Sequence, residues 1–142
     1  MQKLNYKSGK KRGQALIEFA LVLPLLLILT MLIIQYGIIF YTTIGVTNLS
    51  REGARYAATA PASDDDIEGR IEDVMPPNIN FSDLSINISP GEGSGDRVIG
   101  TRALIKVAVS YDMKKKLFLP STFLGVHIFN ETYTAQTTMM VE

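Results

Sequence analysis

The chain has 142 residues, with fourteen Lys or Arg against fourteen Asp or Glu, a single histidine (His127) and no cysteine. That length fits one long helix and one small domain but not two ordinary domains. The composition excludes disulfides, thiolate catalysis, Cys-based zinc and multi-histidine metal sites, leaving a Ser-His-Asp arrangement open only on paper. The zero net charge is unevenly distributed. All five charged residues before Glu18 (Lys3, Lys7, Lys10, Lys11 and Arg12) are basic, and the remainder is acidic, nine cations against fourteen anions. A basic leader before an acidic body is a topology signal rather than a nucleic-acid footprint.

Residues 15 to 41 read as a membrane-embedded helix, apolar from Phe19 onward, and no charge falls between Glu18 and Arg51. A membrane span needs about 20 such residues at 1.5 Å rise each, and this run exceeds that. The leader predicts a cytoplasmic N-terminus, a single pass through the cytoplasmic (inner) membrane and an extracytoplasmic remainder. Tyr36, Phe40 and Tyr41 stand near the outer end, where amphipathic rings favour the interface. A cleaved secretory signal fits poorly. Its apolar region should be about 7–15 residues long, and the one small-x-small site, Ala58-Thr59-Ala60, lies far downstream before Pro61.

Glu18 has two readings. As a carboxylate at the start of a span it can sit at headgroup level at little cost. The stretch Lys10-Lys11-Arg12-Gly13-Gln14-Ala15-Leu16-Ile17-Glu18, however, resembles the type III signal of type IV pilins and pseudopilins. That resemblance implies cleavage by prepilin peptidase between Gly13 and Gln14, with Glu18 as the fifth mature residue. Cleavage would leave an ammonium on Gln14, one helical turn from Glu18. In a packed bundle the glutamate would neutralise the terminal amine of an adjacent subunit, because an unpaired buried charge is costly. Gln14 departs from the aromatic first residue common in true pilins, which bears on N-methylation more than on cleavage. Pro24 removes one helical hydrogen bond and predicts a kink that a transmembrane helix tolerates. The pilin resemblance adds that local melting there would let subunits repack.

Helical spacing continues past the apolar run. Val46, Leu49, Gly53, Tyr56 and Ala60 recur at intervals of three and four. Arg51, Glu52 and Arg55 lie off this stripe, with Glu52 and Arg55 spaced as an ion pair. Gly53 and Ala57 form a small-xxx-small pair that permits close approach of a neighbour, and Pro61 ends the helix. The rod over residues 15–59 would be roughly 65 Å long. Residues 13–24 followed by Arg51-Glu52-Gly53-Ala54-Arg55-Tyr56-Ala57-Ala58 resemble the TadE-like family, minor pseudopilins of the tight-adherence (Tad, Flp) pilus systems.

Beyond residue 61, Ser63 before Asp64-Asp65-Asp66 reads as a helix start. The spaced calcium-loop pattern with its closing glutamate is missing. Ile67, Ile71 and Val74 give helical periodicity until Pro76-Pro77. Residues 84–89 alternate as a strand, and residues 90–96 are a glycine-rich turn. This is no dinucleotide fingerprint, because a strand follows it rather than a helix. In that strand, residues 102–111, Ala103, Ile105, Val107, Val109 and Tyr111 share one face. Lys114-Lys115-Lys116 suits either a solvated loop or a contact with anionic lipid or an acidic partner. Residues 118–124 form an apolar loop that could cover a sheet edge or meet a partner. Residues 126–141, rich in Thr, Tyr, Ile and Val, read as a final strand or strand pair. His127 there reads as packed or exposed rather than catalytic.

The expected fold is α+β. Residues 1–13 are a basic leader, residues 14–60 a transmembrane and extended helix, and residues 61–142 an extracytoplasmic domain of three or four antiparallel strands with one short accessory helix. The family resemblance implies a pilus assembly or adhesion component rather than an enzyme. Its partners would be membrane lipid, prepilin peptidase, other pilin or pseudopilin subunits and Tad assembly proteins, with no cofactor, nucleic acid or small-molecule substrate. An uncleaved single-pass anchor, whose exported domain binds a partner or scaffolds a secretion machine, is the alternative.

Overall fold

The computed structural model describes residues 8–59, 63–93, 102–123 and 125–141. Its dominant element is α1, a continuous helix over Ser8–Thr59 that runs through Pro24. At 1.5 Å per residue it is about 78 Å long. It starts before Gly13, inside the basic leader, where residues 10–12 are all good helix formers. Ala60 and Pro61, the expected terminus, lie outside the described residues, and Thr59 is the last helical position seen.

Two environments divide α1. From residue 16 to residue 34, fourteen large apolar side chains, among them Leu16, Phe19, Leu25 and Ile33, are exposed. Leaving each of these in water forgoes about 1.5–3 kcal/mol of burial, roughly 20–40 kcal/mol together. A single small domain has no comparable reserve, so this surface needs an apolar environment such as lipid rather than water. Among the described residues this is the one helix long and apolar enough to cross a membrane, and the chain is a membrane-anchored, single-pass protein on that evidence.

From Gln35 onward, one face of α1 is covered by its own domain. Val46, Leu49, Ser50, Ala54, Ala57 and Ala58 are buried there. The covering layer is a three-stranded antiparallel sheet in the order β1 (Leu84–Ser89), β2 (Leu104–Asp112), β5 (Thr132–Met140). β2 is central. Leu84 pairs with Tyr111 on one side, and Tyr111 with Tyr133 on the other. Its odd positions Ile105, Val107, Val109 and Tyr111 are all buried against α1, as the alternation predicted, while Ala103, expected on the same face, precedes the strand and is half-buried. On edge strand β1 the inward residues Leu84, Ile86 and Ile88 are only half-buried.

The short helix α2 (Asp64–Asp73) packs beside α1 through fully buried Ile67 and Ile71. Its start carries a capping box. The Ser63 hydroxyl accepts from the Asp66 N–H at 3.1 Å, and the Ser63 N–H donates to the Asp66 carboxylate at 3.0 Å, which satisfies two otherwise orphaned donors. Val74, expected on the buried face, instead follows the last helical residue and is exposed. The stretch over residues 126–141, expected as a final strand or strand pair, holds two strands. Its first two residues, β4 (Val126–His127), pair with β3 (Thr122–Phe123), with Gly125 at φ 80° in the turn, and only β5 joins the main sheet. Glycine suits that left-handed position because it has no Cβ to clash.

Candidate functional site

The expected functional residues all lie on α1, in two groups. Gly13, Gln14 and Glu18 stand near its N-terminal end and are exposed. Four residues of helix bring Gln14 and Glu18 onto the same face, one turn apart. Pro24 lies within the exposed apolar stretch. The helix therefore presents the expected cleavage position and the Glu18 carboxylate to whatever surrounds the N-terminal end of the apolar stretch.

The second group sits where α1 meets the domain. Glu52 is the hub. Its carboxylate accepts from Arg55 at 2.7 and 3.0 Å, as the spacing predicted, and also from Arg70 of α2 at 2.8 and 3.2 Å. Hydrogen bonds from Arg55, then from Arg70, hold its pKa down at about 2 despite partial burial. Arg70 was not anticipated. The signal was present: in a helix otherwise charged only by Asp and Glu, it is the lone cation. Arg51 is exposed and lines an adjacent groove of about 730 Å³, with Tyr41, Ile44, Asn48 and Asn78 among its other walls.

Gly53 and Ala57 are buried. A Cβ at Gly53 would come within 2.8 Å of Ile71 Cδ1, 3.1 Å of Ile71 Cγ1 and 3.3 Å of Val107 Cγ1. The close approach that this small-residue pair permits is taken up by the chain's own α2 and β2. Ser50, also unanticipated, lies one turn earlier on the same face. Its hydroxyl donates to the Val107 carbonyl at 2.8 Å and lies 3.0 Å from Thr137 Oγ1, tying α1 to β2 and β5.

The remaining candidates are arranged otherwise. Lys114 stands 3.4 Å from Glu131, Lys115 pairs with Asp83, and Lys116 donates to the Asn78 carbonyl while lying 4.9 Å from the Tyr111 ring centroid. His127 is exposed, its Nδ1 3.2 Å from Thr122 Oγ1 across the β3–β4 pair. Leu124, the end of the expected apolar loop, lies outside the described residues. Among the described residues, no cluster of three or more His, Asp or Glu side chains could hold a metal ion.

No curated protein and no solved structure matches the chain. A family model described as TadE-like protein matches residues 13–55, which takes in Gly13, Gln14, Glu18, the apolar stretch, Glu52, Gly53 and Arg55. The segment of α1 that carries nearly all of the candidate site is therefore similar to the TadE-like family, which its sequence motifs resemble.

Proposed function

We propose that the chain is a minor pseudopilin-like component of a Tad-type pilus. It is inserted in the cytoplasmic membrane with its basic end inside, clipped after Gly13 by prepilin peptidase, and used in pilus assembly or adhesion rather than in catalysis. The observation that carries this reading is the position of Gly13, Gln14 and Glu18, exposed at the mouth of an apolar helix within the TadE-like segment. Clipping removes the positive charges that hold the leader in the cytoplasm. Transfer into a fibre then exchanges lipid for neighbouring helices. Apolar contact with either is nearly equivalent, so packing and the pairing of Glu18 with a neighbour's terminal amine decide the outcome.

The test is Glu18→Ala in cells carrying the rest of the pilus system. Membrane insertion should be intact, while recovery of the chain with sheared fibres, or its cross-linking to other pilin subunits, should fall at least several-fold. Unchanged recovery would remove the proposed role of the carboxylate. The uncleaved anchor is the second reading. It is favoured by the continuity of α1 from Ser8 across Gly13, because a peptidase must open a helix to cut there.

A further inference from the structure

The boundary between the bare and the covered parts of α1 has a defined height. The exposed large apolar side chains begin at Leu16, and Gln35 is the first fully buried residue among those of the helix whose side chains are described. Those twenty residues rise about 30 Å, the thickness of a bilayer's hydrocarbon core. The lower edge of the domain therefore stands at the end of the span, with no stalk between them.

Four aromatic side chains gather at that height. The Phe118 N–H donates to Gln35 Oε1 at 3.2 Å, which fixes the loop over residues 117–120 to the helix at the end of the span. Phe118 is itself 50% exposed. Tyr36 meets buried Phe129 edge-on at 5.2 Å and lies 6.4 Å from Phe40, and both Tyr36 and Phe40 are exposed. Exposed rings are unfavourable in water but favoured at the junction of headgroups and acyl chains. The nearby lysines do not supply a free cationic patch: Lys114 and Lys115 face Glu131 and Asp83, and Lys116 is engaged by the Asn78 carbonyl.

We propose that the loop over residues 117–120, with Tyr36 and Phe40, is an interfacial seat that rests the domain directly on the bilayer face. Its occupant is the headgroup–acyl boundary of the lipid, held by aromatic burial rather than by attraction to anionic headgroups. Gln35, the polar residue at the end of an apolar run, acts as the latch that sets the height of the loop. The inference rests on α1 being embedded in a membrane and is independent of any role in a pilus.

The chain contains no tryptophan, so Phe118→Trp introduces a unique fluorophore. The full-length variant is placed in phosphatidylcholine nanodiscs containing brominated acyl chains. Leu104→Trp, exposed at the far end of β2, serves as reference. Quenching should be several-fold stronger at position 118 than at 104, and unchanged when phosphatidylglycerol is added. Equal, weak quenching in a chain that resists alkaline extraction from membranes overturns the seat while leaving the anchor. Extraction of the chain by alkali overturns the anchor itself. Quenching that requires phosphatidylglycerol overturns the aromatic mechanism, and shielding that appears only when pilin subunits are added reassigns the surface to protein. Should tryptophan disturb the fold, Phe118→Cys provides a second readout. It should react with a polar maleimide several-fold more slowly than Leu104→Cys in nanodiscs, and equal rates would overturn the seat.

Discussion

Substitution at Gly53 tests the contact between α1 and the domain. Replacing a helical glycine with alanine is ordinarily stabilising by about 1 kcal/mol. At Gly53 the added carbon would enter space already held by Ile71 and Val107, at 2.8 to 3.3 Å, and both of those side chains are fully buried. Overpacking of this kind costs about 1–3 kcal/mol, so Gly53→Ala should lose up to about 2 kcal/mol net, and Gly53→Val about 3 kcal/mol or more. Gly69, in the middle of α2, has nothing within 4 Å of its would-be Cβ, and Gly69→Ala should gain the full 1 kcal/mol or so. For a domain of this size, 1 kcal/mol moves Tm by about 4–8 °C. Thermal unfolding in detergent, followed by the near-ultraviolet signal of buried Tyr111, should therefore show Tm falling at position 53 and rising at position 69. A rise of equal size at both positions would refute the close packing of α2 and β2 on α1.

Three further outcomes follow from the same contacts. Because the folded pKa of Glu52 is lowered to about 2, its ion pairs stabilise fully above the ordinary glutamate range near 4.5 and are lost as pH falls through about 2. Discounted for the exposure of Arg55, Glu52→Gln should cost on the order of 1 kcal/mol at neutral pH, a Tm difference from wild type that closes between pH 4.5 and pH 2. Ser63→Ala removes one half of the capping box and should lower stability by about 1 kcal/mol, read as increased hydrogen exchange in the first turn of α2. Ser50→Ala leaves the Val107 carbonyl without its buried hydroxyl partner and should cost about 1–3 kcal/mol by denaturant titration.

Much of this architecture was legible because it depends on strong, short-range signals. The span, the Ser63 cap and the alternation of β2 each follow from residue type and period alone. The buried face of α1 beyond the membrane was read less well. Helical spacing suggested Val46, Leu49, Gly53, Tyr56 and Ala60; the first three are buried and Tyr56 is half-buried, but the face that packs also includes Ser50, Ala54 and Ala58, which the spacing did not mark. Small residues carry little weight in a hydropathy pattern, and Ser50 belongs to the core only because the Val107 carbonyl stands opposite. The same applies to Gln35 and Arg70, whose partners are 83 and 18 residues away in the chain. What the expectation of a final strand or strand pair did not reveal is that Val126 and His127 pair with β3 while only β5 joins the main sheet. The inner end of α1 was read from motif order alone, and its chemistry awaits a direct test.

That test is the mass of the N-terminus after coexpression with the cognate prepilin peptidase. The account predicts a mature chain that begins at Gln14, having lost Lys10, Lys11, Arg12 and Gly13 with the rest of the leader. Persistence of the full leader, under conditions in which a major pilin of the same system is cut, would contradict it and leave the protein a fixed membrane anchor.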